Sequence, residues 1–128
     1  MKNILIKDAT LINENRTYKG SVLISGDKIA SIYETSIPRQ VEEDCTVIPA
    51  EGMFLLPGAI DDQVHFREPG STWKGDIASE SRAAAAGGVT SFMDMPNTKP
   101  QTTTISELEW RWQRAAETSL INYSFFFG

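Results

Sequence analysis

From residue 55 onward the chain alternates strand and helix, and that order restricts its fold more than any other feature. Ala59, Ile60, Val64 and Phe66 give the first segment strand character behind the Pro57-Gly58 punctuation. Asp76 is a good N-cap for a helix over roughly residues 77–86, stopped by Gly87-Gly88. Residues 89–95 read as a second strand, ended by Pro96-Asn97. Thr104 and Glu107 have capping-box spacing and open a helix running to about Thr118. Its predicted buried face carries Ile105, Leu108, Trp112 and Ala115 or Ala116. Residues 121–127 read as a third strand. Strand-helix-strand-helix-strand predicts parallel pairing and an α/β class.

Residues 1–54 have a different grammar. Short β-rich runs at Ile4-Leu5-Ile6, Thr10-Leu11-Ile12, residues 21–24, 28–32 and 45–48 are separated by turn signals such as Gly26-Asp27. They predict a small antiparallel sheet or sandwich that serves as scaffold. Glu42-Glu43-Asp44 reads as a solvated loop. The chain thus divides into a β-rich segment, 1–54, and an α/β segment, 55–128. In the second segment the Phe125-Phe126-Phe127 strand lacks a partner and cover, which predicts the front portion of a larger α/β fold.

Charge excludes some functions. Twelve Lys and Arg against 17 Asp and Glu leave a formal charge of −5, the wrong sign for a nucleic-acid surface. The single cysteine, Cys45, forbids an internal disulfide, suits a reducing compartment and reads as packing. Neither a signal peptide nor a membrane-length apolar run is visible. The expectation is a soluble, cytoplasmic protein.

The chemistry concentrates in Asp61-Asp62-Gln63-Val64-His65-Phe66-Arg67-Glu68-Pro69-Gly70. Strand alternation predicts that Asp61, Gln63 and His65 share one face. An acid, an amide and an imidazole together suit a metal or substrate site better than a core. Gly87-Gly88 closes a helix instead of opening one, which argues against a phosphate cradle. Trp73, Trp110 and Trp112 read as packing residues.

The run from Asp61 to Gly70 resembles the dihydroorotase signature within the amidohydrolase superfamily. Residues 82–90 and Asp94-Met95-Pro96-Asn97-Thr98 resemble the next two landmarks, in order. The N-terminal strands are similar to the small sandwich that precedes the barrel in that superfamily. The resemblance implies the start of a TIM-type (β/α)8 barrel behind a small β-sandwich segment, with the barrel incomplete here; a complete one takes about 250 residues. It also implies one or two zinc ions and reversible hydrolysis of dihydroorotate to N-carbamoyl-aspartate, a step of pyrimidine synthesis.

Residue by residue, the resemblance assigns His65 as a metal ligand. Gln63 stands where the family usually has histidine, and an amide oxygen is a weaker zinc donor than imidazole. Asp61 supports the metal region, whereas Arg67 and Asn97 match substrate-holding positions. Arg67 suits the carboxylate of dihydroorotate, a group that allantoinase and hydantoinase substrate rings lack. Asp94 either orients a neighbour or is structural, and Glu68-Pro69-Gly70 shapes the loop. Further ligands, among them a carboxylated lysine, are expected beyond Gly128. Implied partners are the small-molecule substrate, further copies of the chain, and aspartate transcarbamoylase. Three other readings stand beside this one: an allantoinase- or hydantoinase-type hydrolase, a catalytically degenerate scaffold suggested by Gln63, and a standalone binding module.

Overall fold

Ten-residue strands β1 (Ile4–Asn13) and β2 (Arg16–Ser25) form an antiparallel hairpin at the start of the computed structural model, which describes residues 2–128. The two-residue turn is made by Glu14 and Asn15, both with positive φ, matching the primed turns that fit strand twist. Next come β3 (Lys28–Tyr33), α1 (Arg39–Asp44), β4 (Thr46–Pro49) and β5 (Phe54–Leu55). The chain forms two compact units that part between Pro57 and Gly58.

The first unit is one five-stranded sheet in the order β3-β2-β1-β4, with β5 also on β1. The expected all-antiparallel arrangement is corrected here, because β4 and β5 both run parallel to β1. Ile4 pairs with Thr46 and Thr10 with Phe54. The two short runs at 4–6 and 10–12 are one strand with a register irregularity between Ile6 and Ala9. Asp8, at φ 62°, makes that irregularity, and its backbone N–H donates to Ser21 Oγ at 3.0 Å. Ala9, Leu11, Val22 and Ala50 form the core of this unit. Residues 39–44, expected as part of a loop, are helical. Cys45 is buried, in keeping with packing.

The second unit contains β6 (Ala59–Val64), α2 (Ile77–Ala86), β7 (Val89–Asp94), α3 (Ile105–Thr118) and β8 (Asn122–Phe125). Its sheet has the order β6-β7-β8 and is parallel throughout, as the alternating pattern predicts. Both longer helices begin with complete capping boxes, Asp76 with Ser79 and Thr104 with Glu107. Each box satisfies orphan N–H groups of a first turn. Phe66, Ile77, Phe92 and Ala115 form the core, extended by Tyr123 and Phe125. Phe66 and Phe92 stack with ring centroids 4.4 Å apart.

The buried face of α3 departs from its apolar pattern. Ile105 is 63% exposed and Trp112 43%, whereas Arg111 and Ala115 are buried. Trp112 still packs against Tyr123 and Phe125, at 5.1 and 5.7 Å between centroids. Trp73 is 81% exposed under the Lys74 ammonium, so it is not a packing residue. Arg111 is buried because it has a buried partner, Asp94.

Candidate active site at the strand ends

β6 ends at Val64, so His65 and Arg67 lie in the segment leaving the strand. Asp61 pairs with Phe92 and Val64 with Asp94, three steps on one strand against two on the other. This bulge breaks strict alternation. Strand period alone therefore does not place Asp61 beside Gln63 and His65. Val64 and Phe66 pack on the helix-side core, which turns Gln63 and His65 to the opposite, exposed side. Asp61 bends along its own strand and accepts the Gln63 backbone N–H at 3.2 Å.

His65 and Asn97 meet directly. Their Nδ1 and Oδ1 atoms are 2.9 Å apart, although 32 residues separate them in the chain. An amide oxygen only accepts, so Nδ1 is the donor of this bond, and in the neutral ring the lone pair then lies on Nε2. That is the tautomer of an Nε2 metal ligand whose other nitrogen is held by a carbonyl. The Asn97 amide nitrogen remains as a donor.

Arg67 has φ 69°, the left-handed region that only glycine enters freely. Its side chain is half-buried, and among the described residues its guanidinium has no hydrogen-bond or ion-pair partner. The backbone around it is held closely. Phe66 N–H donates to Asp94 Oδ1 at 3.1 Å, and Ser71 N–H donates to the Arg67 carbonyl at 3.0 Å. Gly70, at φ 92°, lies so close to Lys99 that an added Cβ would sit 2.2 Å from the Lys99 carbonyl oxygen.

Two buried carboxylates bracket this segment, and both answer to α3. Asp94 accepts from Arg111 Nη2 at 2.5 Å, and Arg111 Nη1 donates to Thr102 Oγ1 at 2.9 Å. Burial pushes the Asp94 carboxyl above the ordinary carboxylate value, against the opposing pull of Arg111. Glu68 accepts the Ile77 backbone N–H at 2.9 Å and Arg114 Nε at 2.7 Å. Asp94 is thus held as a structural group that meets the site through the Phe66 backbone N–H and through its charge interaction with His65. Glu68 does more than shape its loop, since it ties that loop to both helices. Arg111 and Arg114 escaped the sequence reading because a buried arginine shows no apolar period.

The donor set fits one edge of a metal site. His65 offers an imidazole lone pair and Gln63 an amide oxygen, with the Asp61 carboxylate two residues before Gln63. No group of three His, Cys, Asp or Glu side chains able to enclose a metal occurs among the described residues. A cavity of about 310 Å³ lies elsewhere, lined by Pro69, Pro100, Thr102, Trp110 and Arg111 among others. None of Asp61, Gln63, His65, Arg67 or Asn97 lines it.

A parallel sheet flanked by helices, with polar residues gathered where its strands end, is an α/β unit of the kind that carries sites at the carboxyl edge. A family model described as dihydro-orotase-like matches residues 52–127, more than half of the chain. The chain belongs to the dihydro-orotase-like family. It is 40% identical over 112 residues to the dihydroorotase of Wolbachia sp. subsp. Brugia malayi, covering 84% of this chain and 25% of that protein. Against the dihydroorotase of Bacillus subtilis it is 37% identical over 118 residues, covering 91% and 27%. Among solved structures it is similar to dihydropyrimidinase from Brevibacillus agri, with a TM-score of 0.81 and 30% identity over 98% of this chain and 27% of that one. The chain spans about a quarter of the length of the curated relatives it matches. No helix among the described residues is long and apolar enough to cross a membrane.

Proposed function

We propose that the complete protein is a metal-dependent cyclic amidohydrolase that interconverts dihydroorotate and N-carbamoyl-aspartate. The reading rests on the pairing of His65 with Asn97, and it draws also on Arg67, two residues on from His65 in the chain, whose guanidinium has no partner among the described residues. Its frame is an eight-stranded barrel, of which β6, β7 and β8 are the opening strands, behind a small β-sandwich that includes residues 1–54. The remaining metal ligands belong to parts of the protein outside this segment.

His65, through Nε2, and Gln63, through its amide oxygen, would hold zinc at this edge of the site. When bound, zinc supplies Lewis acidity to the carbonyl under attack. Arg67 grips the substrate carboxylate through two parallel charge-assisted hydrogen bonds. Asn97 orients His65 with its oxygen and offers its amide nitrogen to the substrate. Asp61 holds the Gln63 backbone and supports the metal edge. The proposed setting is the cytoplasm, with further copies of the chain and aspartate transcarbamoylase as partners.

A second reading draws on the solved D-hydantoinase, 31% identical with a TM-score of 0.79. Turnover by the full-length, zinc-loaded protein distinguishes the two. Dihydroorotate hydrolysed in preference to hydantoin or dihydrouracil supports the proposal. The reverse preference assigns the protein to the second reading. Absence of both zinc and turnover would identify a degenerate scaffold.

A further inference from the structure

Arg67 is a poor residue for its own backbone. A non-glycine residue in the left-handed region is strained and persists only where its surroundings determine it. Here the determination comes from both sides. The Phe66 N–H is fixed by Asp94, and Asp94 is fixed by Arg111. On the other side, the Glu68 carboxylate is shared between the first N–H of α2 and Arg114 Nε. Arg111 and Arg114 are three residues apart and therefore share a face of α3. One helix face thus holds both acids that flank the Arg67 segment, and neither arginine is hydrogen-bonded to the polar cluster.

We infer that Arg114, acting through Glu68, is a positioning residue that aims Arg67 at the substrate carboxylate. The inference rests on the reading that Arg67 holds that carboxylate. Glu68 is 6% exposed, so its charge has little access to water and depends on its partners. Ile77 N–H fixes one oxygen whatever happens at Arg114; Arg114 fixes the other. Loss of Arg114 leaves Glu68 tethered at a single point, free to swing, and Arg67 shifts with it. A misplaced guanidinium keeps its charge and loses its two-point geometry. Substrate capture then suffers more than the chemical step.

A double-mutant cycle in the full-length enzyme tests this. Arg67→Ala first establishes the parent reading: a KM for dihydroorotate unchanged in that variant would remove Arg67 from the carboxylate, and the inference with it. With that rise in KM in hand, Arg114→Met is expected to raise KM about tenfold while kcat stays within about twofold. Arg114→Lys should recover part of the loss. In the Arg67→Ala background, Arg114→Met should add nothing. Glu68→Gln, which keeps an oxygen for the Ile77 N–H, provides a second entry into the same cycle should Arg114→Met fold poorly. Full additivity of either pair, or an unchanged KM in the single variants at Arg114 and Glu68, overturns the inference while leaving the role of Arg67 intact.

Discussion

Arg111 reaches from the middle of α3 to the last residue of β7 and meets the Asp94 carboxylate at 2.5 Å, with both side chains 1% exposed. The guanidinium also lies 4.3 Å from the centre of the Phe125 ring, so it fastens helix, strand and core at once. Removing one partner would strand the other charge in a dry place. Arg111→Met is expected to destabilise the protein by roughly 3–5 kcal/mol. Joint replacement with Asp94→Leu should recover part of that loss, because no lone charge remains buried. Denaturant unfolding of the two single variants and the double variant checks both statements.

At the proposed metal edge, Gln63 has a neutral amide oxygen one position before Val64, on the same exposed side as His65. Replacement by imidazole puts a stronger zinc donor there. Gln63→His in the full-length protein should therefore tighten zinc binding, by roughly tenfold or more against a competing chelator. An unchanged or weakened affinity would place residue 63 outside the metal's reach.

Asn97 holds His65 Nδ1, so if His65 ligates through Nε2 as proposed, loss of Asn97 should register in metal affinity before catalysis is considered. Partners of this type are worth about 10–100-fold. Asn97→Ala should weaken zinc binding within that range, measured by chelator competition. The turn at Pro96 should stay intact, since Thr98 and Thr102 N–H donate to the Pro96 carbonyl independently of the Asn97 side chain.

Acid should loosen the second unit through its caps. The Ser79 backbone N–H holds the Asp76 carboxyl below its ordinary value, and the Thr103 backbone N–H does the same for Glu107. Groups lowered on folding contribute stability above their unfolded pKa and lose it as pH falls through the folded one. The loss therefore sets in as pH falls through the ordinary values, 3.8 for Asp76 and 4.5 for Glu107, and continues below them. Asp76→Asn keeps a capping oxygen without the charge. Its melting temperature should fall less steeply than the parent's as pH drops below the ordinary carboxyl values.

Gly70 is expected to refuse any side chain. Its φ of 92° and its closeness to Lys99 leave no room for a Cβ. Gly70→Ala should lower the melting temperature and raise KM together, because the same turn carries Arg67. A variant with parental stability would show that the loop shifts freely.

Local chemistry made the helices legible. Asp76 announces an N-cap and Thr104 a capping box, and the expected spans of α2 and α3 coincide with the observed ones. Parallel order in the second sheet followed from the alternation of elements. What escaped was non-local. Asp8 carries β1 through an irregularity without glycine or proline to mark it. The buried face of α3 was misjudged because apolar period cannot register an arginine whose partner lies 17 residues away. The His65–Asn97 contact likewise joins two strand ends that only the parallel ladder brings side by side.

In the first unit, β1 is hemmed on one side by β2 and on the other by β4 and β5. Its hairpin partner follows at once, but its other edge waits for residues 46–55. During synthesis that edge stands open while more than thirty further residues are added after the hairpin begins to close. The earliest strand of the unit is thus the last to be fully bonded, and until then it is the natural place for a nascent neighbour to add a strand of its own.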